Sequence, residues 1–253
     1  MKFIAIIPAR YGSSRFPGKP LADLGGKTMI ERVYSRVAAV LGAENVFVAT
    51  DDARIASAVD DFGGKAVMTS TEHRSGTDRV YEAYCILGSD ADVVINIQGD
   101  EPFIALSQIE AVKACFADTE VEIASLARPF DASLGFDALF DPNLVKVVMD
   151  ARMNALYFSR SIIPYVRSVD WKHWLEKVQF HTHVGVYAYK ADVLARLTAL
   201  PQSPLELAES LEQLRWLQNG YRIRMAITEA PTIGIDTPAD LENALQFLDS
   251  DHD

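Results

Sequence analysis

Residues 3–20 read FIAIIPARYGSSRFPGKP and join an apolar run to a loop of small residues and cations. The run Phe3–Ile7 is typical of a buried parallel strand, and loops at the carboxyl ends of such strands hold ligands in α/β proteins. The loop mixes glycine and serine with Arg10, Arg15 and Lys19. Small residues let a backbone close around phosphates while cations neutralise them. The stretch therefore predicts an α/β fold with a triphosphate site after its first strand.

Two well-known phosphate-binding motifs are missing from the sequence. There is no G-x-x-x-x-G-K-[ST] segment, and no G-x-G-x-x-G follows the first apolar run. Their absence argues against a P-loop ATPase and against a dinucleotide-dependent oxidoreductase. The alternative for the loop is a basic, glycine-containing surface loop with no ligand.

Length and composition narrow the class of protein. A chain of 253 residues with 49% hydrophobic residues can form one large domain, or one domain with an inserted lobe. The net charge of −11 argues against nucleic-acid binding, so anionic substrates must meet local cations or a metal. Cys85 and Cys115 are too few and too far apart for a disulfide scaffold, which favours the reducing cytoplasm. No apolar stretch is long enough to predict membrane insertion.

The first half of the chain alternates β-rich runs with helical periods, which predicts a mostly parallel sheet with helices on both faces. The predicted strands and helices, in order, are Phe3–Ile7, helix Thr28–Ala39, Asn45–Thr50, helix Asp52–Val59, Ala66–Met68, helix Gly76–Leu87, Asp92–Ile97, helix Ser107–Phe116 and Val121–Leu126.

The pattern changes between Arg128 and Tyr189 to strand-like pieces with an aromatic segment, Trp171–Trp174, between them. Helical sequence returns with Asp192–Leu197 and then with a helix over Leu205–Asn219. A last strand and helix then return to the first pattern. We therefore predict a nucleotide-binding α/β core of residues 1–127 and 221–253, with a smaller mixed lobe of residues 128–220 inserted into it.

Two aspartates follow apolar runs and are candidate ligands of a metal ion. Asp100 comes just after the strand-like run Val93–Ile97, and Asp236 precedes a predicted helix that opens with Pro238. Carboxylate oxygens beside a triphosphate suit Mg²⁺, whose shell phosphates and water partly fill. Turn chemistry at Asp100 and a helix N-cap at Asp236 are the alternatives.

Other polar segments are candidates for contacts with a nucleoside or a second substrate. The segment His73–Arg79 opens a predicted helix, where the alternative is simple capping by Ser75 or Thr77. His183 and Tyr187 lie four residues apart, which points both side chains to one face of a strand. Glu209 and Gln213 are neighbours on the predicted helix, with a solvated surface as the alternative for both strand and helix.

Eight segments together resemble the 3-deoxy-manno-octulosonate (Kdo) cytidylyltransferases, and they appear in the right order over nearly the whole chain. The opening segment is shared with other sugar-acid cytidylyltransferases, whereas the combination of SGTDR, QGDEP, FSRSxIPY and LEQLR is much more specific. The segments are PARYGSSRFPGKPL, ATDD, SGTDR, NIQGDEP, YFSRSIIPY, HVGVYAY, ESLEQLR and IDTPADL.

The resemblance implies a Rossmann-like nucleotidyltransferase fold, a homodimer formed through the smaller lobe, Mg²⁺ dependence, and conversion of CTP and Kdo to CMP-Kdo and pyrophosphate for lipopolysaccharide synthesis. It assigns catalysis to Arg15, Lys19, Asp100 and Asp236, and metal binding to the two aspartates. It assigns the nucleotide to Arg10, Ser13, Arg15, Lys19, Ser75, Gly76 and Asp78. It assigns the sugar acid to Gln98, Arg160, His183, Tyr187, Glu209 and Gln213.

The implied chemistry is in-line attack of the anomeric hydroxyl of Kdo on the α-phosphorus of CTP, with no covalent protein intermediate. Two alternatives remain. One is a cytidylyltransferase for another sugar acid, such as 8-amino-Kdo or sialic acid, and the other is a nucleotide-binding protein without catalysis.

Overall fold

The computed structural model describes residues 1–12, 16–231, 234–235 and 237–250. Its strands and helices alternate as predicted up to α4 and become mixed afterwards. In order they are β1 (Phe3–Ala9), α1 (Met29–Leu41), β2 (Val46–Thr50), α2 (Ala53–Asp61), β3 (Ala66–Met68), α3 (Gly76–Leu87), β4 (Val93–Asn96), α4 (Leu106–Ala114), β5 (Ile123–Pro129), β6 (Lys146–Met149), β7 (Ala155–Ser159), α5 (Trp174–Lys177), β8 (His181–Lys190), α6 (Ala191–Thr198), α7 (Pro204–Glu209), α8 (Gln213–Gln218), β9 (Ile223–Ile227) and α9 (Pro238–Ser250).

Parallel pairing organises the amino-terminal strands in the order β3-β2-β1-β4. β1 is almost continuously buried, as expected for a strand with neighbours on both edges. The register places Ala9 opposite Thr50 of β2 and Ile6 opposite Asn96 of β4. The loops that follow these strands therefore emerge at one edge of the sheet, and the predicted α/β class is confirmed.

The chain forms two compact units whose boundaries differ from the predicted ones. The first unit contains residues 1–110, 188–198 and 231–253, and the second contains residues 111–187 and 199–230. The predicted core included β5 and β9, but these two strands pair in parallel with each other inside the second unit. An alternating pattern along the chain does not reveal which strands pair, so the compact units group the strands differently from the predicted core and lobe.

The first unit completes its core with residues that are distant in the sequence. Leu24 and Met29 are fully buried against Ile235 and Ala244, and Phe103 joins the same cluster. The carboxyl-terminal residues thus pack against the segment that follows the β1 loop.

In the second unit β6 pairs antiparallel with β7 and also with β8. The aromatic segment Trp171–Trp174 forms a short 3₁₀ turn that leads into α5. Trp174 is buried in a cluster that includes Phe130, Phe136 and Phe180. Trp174 therefore has a structural role in the core of the second unit.

The prediction of a single helix over Leu205–Asn219 is wrong, because the helix is interrupted between α7 and α8. Ser210 adopts a left-handed backbone conformation with φ 51°, which ends α7. The break lets Arg215 donate to both carboxylate oxygens of Glu206, at 2.9 and 2.7 Å. In a straight helix these residues would lie about 13 Å apart along the axis. The buried ion pair therefore requires the break.

No helix in the described part of the chain has the length and apolar character needed to cross a membrane.

We expect Arg215→Met to destabilise the protein by about 3–5 kcal/mol, because it leaves the Glu206 carboxylate buried without its cation. The measurement is the free energy of unfolding from urea titration. Arg196→Met is the matched control, since Arg196 pairs with Asp192 on the exposed surface of α6. There we expect a change below about 1 kcal/mol. Equal effects of the two substitutions would contradict the stabilising role of the buried pair Arg215–Glu206.

Candidate functional site

A cavity of about 250 Å³ lies in the first unit, where β1 and β4 end. Its walls come from the loops that the parallel register brings to this edge. Residues after β1, residues before and within the first turns of α3, and residues after β4 all line it. The residues relevant to chemistry are Arg10, Lys19, Arg74, Ser75, Gln98 and Asp100.

The β1 loop is closed at its ends by backbone hydrogen bonding. The amide of Gly18 donates to the carbonyl of Tyr11 at 2.9 Å. Gly18 has φ +74°, and a Cβ there would lie 3.1 Å from the Tyr11 ring, so a side chain would be strained on both counts. The guanidinium of Arg54 stacks on the Tyr11 ring, 3.3 Å from its centre. Lys19 follows immediately and begins a 3₁₀ turn.

Lys19 and Asp100 form an ion pair inside the cavity. The ammonium of Lys19 donates to Oδ2 of Asp100 at 2.7 Å. The side chains are 13% and 34% exposed, so the pair is partly shielded from water while the carboxylate stays accessible. The backbone carbonyl of Asp100 accepts from the amide of Ile235 at 3.1 Å, which fixes the main chain.

The amino terminus of α3 forms another wall. Ser75 caps the helix, since its hydroxyl accepts from the amide of Asp78 at 3.1 Å. A Cβ on Gly76 would lie within 3.5–3.8 Å of Pro8 and Gln98, so this backbone closely approaches the ends of β1 and β4. Asp78 sits in the first turn but is not among the described residues that line the cavity.

Two cations of the cavity lack a carboxylate partner within the described residues. They are Arg10 and Arg74, both exposed side chains on its walls. In a protein of net charge −11, such cations favour an anionic ligand. The sequence singled out Arg10, whereas Arg74 was only part of the segment His73–Arg79 that was predicted to contact a nucleoside.

Arg79 also lines the cavity, and the sequence had named it only as the end of the candidate segment His73–Arg79. It is 4% exposed, and it donates to Oδ2 of Asp51 at 2.8 Å and to the hydroxyl of Thr69 at 2.6 Å. The segments ATDD and SGTDR, which the sequence placed in one family pattern, thus meet through this ion pair.

Three of the predicted site residues fall outside the described part of the chain. They are Ser13, Arg15 and Asp236.

The predicted sugar-acid residues divide between the units. Gln98 lies in the first unit, where its amide donates to Asn96 at 3.1 Å, and the other five lie in the second. Arg160 donates through Nε, Nη1 and Nη2 to the carbonyls of Glu209, Pro142 and Ser210. The carboxylate of Glu209 in turn accepts from the hydroxyl of Ser159 and the amide of Arg160. Arg160 and Glu209 therefore belong to one hydrogen-bonded cluster.

His183 and Tyr187 lie on one face of β8, as their spacing predicted, with ring centres 5.3 Å apart. Nε2 of His183 is 3.0 Å from the hydroxyl of Ser125. His183 keeps some exposed surface, but the surrounding protein desolvates its ring and lowers the pKa to about 3. The imidazole is therefore neutral at physiological pH. Gln213 is buried at the start of α8.

Magnesium suits the donors of the cavity. No group of three or more potential metal-binding side chains occurs among the described residues. Mg²⁺ usually needs only one or two carboxylates when phosphates and water complete its shell. Asp100 offers such a carboxylate and already attracts one cation, the ammonium of Lys19. A metal brought with a triphosphate fits this donor set.

Comparison with known proteins places the chain in a family. The family described as cytidylyltransferase matches residues 4–224. The 3-deoxy-manno-octulosonate cytidylyltransferase of Parabacteroides distasonis is 60% identical over 249 residues, and that of Phocaeicola vulgatus is 61% identical over 248, each covering 98% of both chains. A solved CMP:2-keto-3-deoxy-manno-octonic acid synthetase complexed with CTP is 45% identical with a TM-score of 0.90, covering 99% of this chain and 100% of that one. This chain therefore belongs to the 3-deoxy-manno-octulosonate cytidylyltransferase family.

Proposed function

We propose that the chain transfers CMP from CTP to Kdo and releases pyrophosphate. Identity of 60% over nearly the full length of relatives that carry this name is the observation on which the proposal rests. The cavity supports it, because a basic loop, a capped helix start and an accessible carboxylate meet where β1 and β4 end. We further propose that the product serves lipopolysaccharide synthesis.

The residues of the first unit would bind and orient the nucleotide. We propose that Arg10 and Lys19 hold the triphosphate together with Ser13 and Arg15, and that Ser75, Gly76 and Asp78 lie near the cytidine. Asp100 and Asp236 would hold Mg²⁺. When bound, Mg²⁺ would supply Lewis-acid activation of the attacking hydroxyl and neutralise phosphate charge. The sequence neighbour of Asp236, Ile235, is hydrogen-bonded to Asp100, which supports the pairing of the two aspartates.

The reaction then depends on positioning two anions and stabilising the charge that develops on the leaving group. The anomeric hydroxyl of Kdo attacks the α-phosphorus in line, and the bond to pyrophosphate breaks. The cations Arg15 and Lys19 would stabilise the departing pyrophosphate. A dedicated histidine base is not required by this scheme.

For the sugar acid we propose binding by Gln98, Arg160, His183, Tyr187, Glu209 and Gln213. Arg160 would attract the carboxylate of Kdo, because within the described residues its guanidinium donates to three neutral carbonyl oxygens and uses only three of its five N–H groups. His183 would act as a neutral hydrogen-bonding group, since burial holds its pKa near 3.

The first experiment measures pyrophosphate release from CTP and Mg²⁺ with Kdo, 8-amino-Kdo, sialic acid or no sugar. We expect release with Kdo alone. Release only with another sugar acid would retain the nucleotide site and replace the acceptor. If none of the sugars gives release, the chain is a nucleotide-binding protein without this activity.

We expect Asp100→Asn to reduce turnover by roughly a hundredfold or more, because the proposed metal loses a charged ligand. Binding of CTP without metal should be retained, since the amide leaves the phosphate cations in place. Steady-state kinetics across a Mg²⁺ titration and metal-free calorimetry measure the two effects. Asp61→Asn, the same change on the exposed end of α2, is the control. Near-normal turnover of Asp100→Asn at limiting Mg²⁺ would disprove the metal role.

We also propose a cytoplasmic homodimer that forms through the second unit. Cys85 and Cys115 are both free thiols, as is usual in a reducing compartment. Tyr165 and Phe140 expose 76% and 61% of their surfaces beside the apolar depression at Trp171. Exposed apolar patches of this kind often mark protein interfaces.

Sedimentation velocity tests the dimer. We expect a two-chain species at micromolar concentration and dissociation on Tyr165→Lys. A monomeric wild-type protein would refute the proposed assembly.

A further inference from the structure

The loop Thr69–Arg74 connects β3 to the cap of α3 and carries two side chains, His73 and Arg74, to the wall of the cavity. Loops that reach a ligand site precisely enough to bind usually need support from neighbouring elements. In this protein the support comes from α3 itself.

Two side chains of α3, three residues apart and so on one face of the helix, hold the loop. Arg79 donates to the hydroxyl of Thr69 at 2.6 Å. Glu82 accepts from the amide of Ser70 at 2.7 Å and lies 2.5 Å from Nε2 of His73. These hydrogen bonds lower the pKa of Glu82, the contact with His73 contributing most, so the carboxylate is charged at neutral pH. Arg79 is in turn held by Asp51 after β2.

Arg74 lies between two residues that are fixed in this way. His73 before it is bound to Glu82, and Ser75 after it caps α3. Its own guanidinium is exposed at the cavity and contacts no carboxylate of the described residues. The backbone is therefore held on both sides while the cation is left for a ligand.

We propose that Arg74 is a further nucleotide-binding residue that contacts a phosphate of CTP, and that Glu82 is the positioning residue that places it by holding His73. This inference rests on the proposed function. A guanidinium can bind phosphate oxygens through two parallel hydrogen bonds, which a lysine cannot reproduce. Arg74 would add a cation on the α3 wall, apart in sequence from those of the β1 loop.

The test of Arg74 is calorimetric titration of the intact protein with CTP and with cytidine, without sugar. We expect Arg74→Gln to weaken CTP binding about tenfold and to leave cytidine binding unchanged, because only CTP carries phosphates. Arg74→Lys should restore part of the loss. Arg196→Gln, an exposed arginine on α6, is the control and should bind CTP normally. Unchanged CTP binding by Arg74→Gln, or an equal loss for cytidine, would overturn the assignment.

The test of Glu82 is a double-mutant cycle with Arg74. If Glu82 acts through Arg74, Glu82→Ala weakens CTP binding in the wild-type background and has no further effect in the Arg74→Gln background. Glu82→Gln, which keeps one acceptor oxygen, should restore part of the affinity. Additive losses would overturn the positioning role, whatever the effect on melting temperature.

The two proposals fail in different ways. If the wild-type protein binds CTP and Arg74→Gln binds it equally well, the role of Arg74 is wrong and the proposed function stands. If the wild-type protein binds no CTP, the proposed function is wrong and the role of Arg74 falls with it.

Discussion

The parallel hydrogen bonding of β1 to β2 on one side and to β4 on the other is the constraint on which the first unit depends. It brings three loops that are distant in sequence to one edge of the sheet. Lys19 reaches Asp100, and Arg79 reaches Asp51, only because these loops emerge together. Any change of register by one residue would reverse the side chains of a strand and separate these pairs.

The local distribution of charge explains how an acidic protein can bind a substrate with a high negative charge. The chain has a net charge of −11, yet the cavity gathers Arg10, Lys19 and Arg74 on its walls. Asp100 holds one of these cations in the protein alone. A nucleotide that arrives with its own metal would offer both members of this pair a new partner of opposite charge.

The sequence predicted best where structure depends on local signals. The helix Gly76–Leu87 has the predicted bounds because Ser75 caps it within the same segment. The helix over Leu205–Asn219 was wrong because a pair nine residues apart, Glu206 and Arg215, decides where the chain turns. The family motifs include most of the residues that line the cavity, whereas the sequence could not separate Arg74 from its neighbours in the segment His73–Arg79.

The carboxyl-terminal packing of the first unit has a consequence for biosynthesis. Ile235 and Ala244 fill the same cluster as Leu24 and Met29, so the ribosome must translate as far as Ala244 before this core can close. Domains usually fold as units during synthesis, with the amino-terminal part first. Here the first unit cannot complete its core until α9 has been synthesised, and its apolar residues stay accessible to chaperones until then.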